Sequence, residues 1–267
     1  MLGGGPTLLI RGNFGPPPEE ATVLAEIEKH WTGAVVVRAR APGERHPRMW
    51  RGRFSEPLPD EEESLAGALT SANVLLDRFR HVLRTVEPDP ANRSAFGHEL
   101  RQLLILACTE VESAWKSILV ANKYPQRKND RFITNDYCNL CPVLKLEEWE
   151  VELAMFPRYG TVAPFRGWDA EKPTESLSWY ADYNRTKHDR EINLRKATLE
   201  NLISSMAGLY IMLAAQAGTE WLSRPPFAIS DFRPRRQPHW DLADEYVPTI
   251  GPSITVPGST KLVPYPF

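Results

Sequence analysis

Residues 100–119 read LRQLLILACTEVESAWKSIL. Leu100, Leu103, Leu104, Ala107, Cys108, Val111, Trp115, Ile118 and Leu119 recur at intervals of three and four, the 3.6-residue period of an amphipathic helix. Ile105 and Leu106 widen the stripe until the segment is apolar nearly all round. The spacing predicts a central helix that starts near Asn92 or Ser94 and runs to about Asn122. A second segment of this kind lies at 194–217, where Leu202, Ile203, Met206, Leu209, Tyr210 and Leu213 carry the stripe. Two such helices bury most surface against each other, and an antiparallel pair is expected.

Outward from this pair, the pattern at 61–87 is also helical. Leu65, Leu69, Val74, Leu75, Phe79 and Val82 keep the spacing until Pro88 and Pro90 stop it. Residues 123–131 form a polar, basic connection. The stretch 134–168 reads as one short helix followed by strand-like pieces at 151–155 and 161–165. Pro173 and Thr174 announce another helix, with Thr174 as its cap, continuing with few breaks from 176 to 217. Upstream, a short helix passes through Val23, Leu24, Ile27 and Trp31. The β-branched run at 34–39 then suggests a strand, with 49–54 as its partner.

Beyond Trp221 the chain is rich in proline, from Pro225 and Pro226 to Pro264 and Pro266. This tail cannot be helical, and Phe227, Phe232, Trp240, Tyr246, Tyr265 and Phe267 favour an extended arm that docks on its own body or a partner's. The expected fold is therefore mainly α: a helical bundle with two long central helices, a small β element near the N-terminus and an extended Pro-rich C-terminal tail. The expected divisions are 1–60, 61–222 and 223–267.

Composition narrows the function classes. The 267 residues are 42% hydrophobic and 25% charged, ordinary globular usage, with a formal net charge of −2. That charge gives no global basic footprint for nucleic acid, so any such contact is local. Cys108, Cys138 and Cys141 are too few for a disulfide framework and suggest a reducing, cytoplasmic setting. Cys138 and Cys141 have metal-like spacing but no second pair, and zinc wants four ligands, so no metal and no cofactor is expected. Neither a secretory leader nor a membrane span is legible, and no membrane partner is expected.

The residues with chemistry cluster at 178–190, SWYADYNRTKHDR. On a helix, Tyr180, Asn184 and His188 fall one turn apart on one face, while Arg185 and Asp189 pair on another. An imidazole, a carboxamide and a phenol then form a row, with Lys187 and Arg190 beside it. Such a row could hold a phosphate and offer a general base near neutral pH, or tie a helix to its neighbours by hydrogen bonds. On the helix at 100–119, Glu110 and Glu112 each fall about 100° from the stripe's centre. A carboxylate there either polarises His188 or pairs with a cation such as Lys187, Arg190 or Arg195.

This constellation resembles a Tyr-Asn-x-x-Lys-His-x-Arg pattern of bacterial helical proteins. With residues 100–119 it is similar to the HEPN superfamily (higher eukaryote and prokaryote nucleotide-binding), over roughly residues 62–217. The resemblance implies a compact helical bundle, often dimeric, and in many members a metal-independent ribonuclease of defence, toxin or stress systems. The candidate catalytic residues are His188, Arg190, Asn184 and Glu110, and the candidate binding residues are Arg185, Lys187, Tyr183 and Glu112. His188 would deprotonate a ribose 2′-hydroxyl while Arg190 or Arg185 steadies the phosphate. The partners implied are a second copy of the chain and an RNA or nucleotide. The sequence departs from the active ribonucleases, which carry an Arg, four to six further residues and then a His. No Arg precedes His188 at that distance; Arg93 and His98, Arg40 and His46, and Arg233 and His239 do have it. The alternative is a non-catalytic helical interaction or scaffold protein whose Pro-rich tail docks on a partner or sister subunit.

Overall fold

The computed structural model describes residues 20–30, 32, 43–50, 57–127, 129, 131–225, 228–241, 244–246 and 260–267. The expected strand at 34–39 and most of its expected partner at 49–54 lie outside the described residues. The chain divides into two compact units, Met1–Arg38 and Ala39–Phe267. In the first, α1 spans Glu20–Glu28. Everything below belongs to the second, so residues 43–50 and the C-terminal segments are built into the helical body rather than set apart from it.

The unit is mainly α. Helix α2 spans Pro59–Thr85 and α3 spans His98–Ala121. After two short helices, α4 at Thr134–Cys138 and α5 at Leu140–Val143, come α6 at Ser178–His188, α7 at Arg190–Asn193 and α8 at Leu199–Ala217. At 27 residues α2 is the longest, so the body rests on more than a central pair. It starts with Pro59 in its first turn, and Glu61 accepts the Leu58 N–H, half of a capping box. Leu65, Leu69, Ala72, Leu76, Phe79 and Leu83 form its buried stripe. Val74, expected in that stripe, is 59% exposed.

Helix α8 is the buried centre, with 17 of its 19 residues buried. Each fully buried Leu or Ile there contributes about 1.5–3 kcal/mol. By contrast α3 buries one stripe: Leu106 is 40% exposed and Ile105 half-buried, so the all-round apolar reading of α3 does not hold. Gly208 of α8 is where the aromatic layer comes closest. A Cβ there would lie 3.4 Å from Phe165 and 3.6 Å from Trp179. Gly218, at φ 85°, ends the helix, and its N–H bonds Ala214 O.

The expected antiparallel pairing of α3 and α8 is overturned. Leu199 N donates to Ala95 O and Glu200 N to Arg93 O, so both helices begin at the same end. Both also finish beside residues 47–50: Asn122 Nδ2 donates to Pro47 O, and Trp50 N donates to Ala215 O. Antiparallel neighbours follow from short connections. Here the intervening chain returns through α6, which runs against both, as α2 runs against α3. The four helices thus alternate in direction along the chain.

The helical character expected with few breaks from 176 to 217 is interrupted between α6 and α8. α6 stops at His188, and α8 begins only after Thr198, whose side chain accepts from Asn201 N. An isolated bridge between Phe96 and Thr198 fixes that break. Thr174 caps nothing; its hydroxyl donates to Thr134 Oγ1, and α6 begins four residues later.

The strand-like pieces at 151–155 and 161–165 become β2, Glu150–Leu153, and β3, Thr161–Val162. They pair antiparallel, and the Pro-rich C-terminal region supplies the third strand, β4 at Phe232–Arg236, giving the order β3-β2-β4. Phe232 is buried and stacks on Phe79 of α2, centroids 6.0 Å apart. The first strand, β1 at Glu44–Arg45, pairs in parallel with β5 at Lys261–Leu262. Asn122 anchors the same corner, its Oδ1 accepting from Tyr265 N at 3.0 Å. Among the described residues no helix is long and apolar enough to cross a membrane.

Candidate functional site

Helix α6 holds the chemistry-bearing stretch against α3 and α8. Its buried face is Trp179, Tyr180, Ala181, Tyr183 and Thr186. Trp179 and Tyr180 close an aromatic cluster around Trp115 of α3, which is fully buried, with Trp168 at 5.0 Å, Tyr137 at 5.2 Å and Tyr180 at 5.4 Å between centroids. This cluster fixes the position of α6, and the polar groups follow from it.

Tyr180 donates its hydroxyl to Glu112 Oε1 at 2.7 Å. One turn on, Lys187 Nζ donates to the Tyr183 hydroxyl at 2.9 Å. Burial, then the charge of Glu112 and its hydrogen bond, push Tyr180 far above its ordinary value. Burial also raises Tyr183, offset in part by the Lys187 hydrogen bond. Its bond to Tyr183 raises Lys187. Cys108 lies on the same side, its thiol pushed well up by burial and by Glu112. At neutral pH the phenols stay protonated and Lys187 stays charged. The arrangement bonds Glu112 and Lys187 each to a protonated phenol at a helix contact, and it offers no activated nucleophile.

The remaining residues take separate partners. Asn184 donates to Tyr180 O of its own helix at 3.1 Å. Arg185 pairs with Asp182 at 2.8 Å, not with Asp189. Asp189 instead accepts from Ile192 N at the start of α7. Glu110 is half-buried and, among the described residues, has no hydrogen-bond or ion-pair partner. His188 is exposed at the last position of α6 and likewise has none among the described residues. The backbone of Arg190 opens α7, and its side chain lies outside the described residues. Arg195 sits over the Phe96 ring at 5.6 Å rather than on a glutamate.

The structure therefore joins Glu112 to Tyr180, and Lys187 to Tyr183, but does not join Glu110 or Glu112 to His188. Asn184 and His188 make no common site: Asn184 turns to the backbone of its own helix, while His188 ends the helix exposed. Three residues that hold this region together were not among the sequence candidates. Asp182 accepts from Arg185 and from Asn201 Nδ2 at 3.1 Å, and lies 3.5 Å from Lys196. Arg101 of α3 donates twice to Thr186 O, at 3.0 and 2.8 Å, at the negative end of the α6 dipole. Asn201 also reaches Lys196 O. The spacing of Asp182 to Arg185 could have flagged the first; nothing local signals the second.

Arg93 and His98, which carry the Arg-to-His spacing, also separate. Arg93 Nη2 donates to Tyr159 O at 3.0 Å, whereas His98 is exposed at the start of α3. Among the described residues no cluster of three or more His, Cys, Asp or Glu could hold a metal ion.

Comparison with family models, with curated proteins and with solved structures finds no match to this chain.

Proposed function

We propose that the chain is a non-catalytic helical interaction protein in which residues 178–190 lock three helices rather than perform chemistry. One observation carries this reading: the stretch spends Tyr180, Asp182, Tyr183, Asn184, Arg185 and Lys187 on bonds within the chain. A histidine acting as general base works with a group that orients its ring, and His188 has no such partner among the described residues. Described parts of the tail, β4 and β5, pair with strands of the chain's own body. Sedimentation over a range of protein concentrations tests for a homodimer.

The second reading, a HEPN-like metal-independent ribonuclease or RNA-binding protein, draws support from the exposed pair of Lys187 and His188 at one helix end. A second copy would then have to orient His188, and Arg190 would hold the phosphate. Incubation of the protein with RNA, without added metal and at several pH values, separates the readings. Intact RNA supports the first. Cleavage that His188→Ala abolishes while the melting temperature holds would replace it with the second.

A further inference from the structure

A cavity of about 200 Å3 lies between β3, the loop that follows it, and the starts of α6 and α8. It is far from apolar. Arg93 and Arg166 line it with the hydroxyls of Thr161, Ser178 and Ser204, and Glu200 is the one carboxylate among its lining residues. Arg166 is paired with Glu150, which stands outside the lining. Arg93 meets Glu200 only at 3.5 Å. Its Nε is buried and bonded to nothing, and such an orphaned donor costs stability unless a ligand satisfies it. The hydroxyls of Thr161, Ser178 and Ser204 also lack partners among the described residues. The positive end of the α6 dipole opens on the same space through Leu177, Ser178 and Trp179.

We propose that this cavity binds a phosphate group, either free or carried by a small metabolite. Each guanidinium already faces a carboxylate, Arg93 meeting Glu200 and Arg166 meeting Glu150, so a bound phosphate competes with these carboxylates for their donors. The free donors number more than a planar carboxylate could satisfy, whereas the tetrahedral oxygens of a phosphate can meet several at once. Glu200 is the competitor: its charge occupies Arg93 when the site is empty. The site stands whichever reading of residues 178–190 holds, since it uses none of their candidate residues.

Calorimetric titration with inorganic phosphate and, separately, with glycerol 3-phosphate tests it. One site per chain is expected, with tighter binding of the ester if the natural ligand is a metabolite and of the free ion if it is not. Ser204→Leu fills the cavity without removing any bond and should weaken binding at least about tenfold, some 1.4 kcal/mol, at an unchanged melting temperature. Arg93→Gln should also weaken binding, with some loss of melting temperature because Arg93 bonds Tyr159 O as well. Glu200→Gln should tighten binding by freeing Arg93, a gain that a purely architectural role would not give. No heat with either probe, equal affinity in Ser204→Leu, or weaker binding in Glu200→Gln overturns the proposal.

Discussion

The first two turns of α6 and its last residues carry the same kinds of side chain and behave differently. Tyr180 and Tyr183 are buried between helices and bonded to Glu112 and Lys187. His188, five residues beyond Tyr183, is exposed and unbonded among the described residues. The difference comes from what lies across the helix. The inner turns face Trp115 and its ring of aromatics, while the last turn has passed the end of that layer and is held by Arg101 on the Thr186 carbonyl and by Lys187 on Tyr183. Residue type alone is thus a poor guide to function here, since a phenol, an amide and a lysine become architecture wherever aromatic packing has fixed the backbone beneath them.

The contrast breaks first at its foundation. Trp115→Ala should cost about 3–5 kcal/mol, the usual penalty for emptying a large buried aromatic, measured by denaturant unfolding. If stability barely falls, the aromatic layer does not position α6.

Alkali should act next, through several tyrosines together. Burial pushes Tyr137, Tyr159 and Tyr210 each up to about 12 from an ordinary 10.0, and raises Tyr180 and Tyr183 as well. A raised folded value favours the protonated form, so this stability is fully present below pH 10 and is lost as pH rises through about 12. The melting temperature should fall across that window, and the phenolate absorbance of these five tyrosines should appear only as the protein unfolds. Tyrosines that all titrate near 10 in the folded protein would contradict the burial of the inner turns.

A smaller effect isolates one bond. Tyr180→Phe removes the donor from Glu112 and should cost about 1–2 kcal/mol. The smallest tests the outer end: His188→Ala should change stability by no more than about 0.5 kcal/mol, as exposed substitutions do. A loss of 2 kcal/mol or more would show that His188 has a structural partner and would erase the contrast.

Much of the helical body was legible in the sequence, and the misses have physical causes. The stripes of α2 and α3 were readable because one-sided burial leaves a 3.6-residue imprint; Leu106 and Val74 misled because single apolar residues also occur on exposed faces. The relative direction of α3 and α8 was hidden, since it depends on how residues 123–197 return. The place of the break between α6 and α8 was hidden because nothing in residues 189–198 breaks a helix by propensity; it is fixed by the bridge to Phe96, a hundred residues earlier in the chain. Strand β4 was missed because Pro234 argues against a strand, yet at the edge of the sheet a missing N–H costs little. Within the site, the closeness of Glu112 to α6 was readable from helix geometry, but its choice of Tyr180 over His188 depends on the depth at which α6 packs.

The pairing of β1 with β5 has a consequence for how the molecule is made. Glu44 and Lys261 stand 217 residues apart and still form an ion pair as well as a strand register. Closing so long a loop costs only logarithmically more than closing a short one, so the contact is affordable at equilibrium. During synthesis it is another matter: β1 leaves the ribosome early and has no strand partner until almost the whole body has emerged. The edge of β1 waits open through that interval, so a chain stalled before residue 261 exposes a strand edge that the finished protein covers.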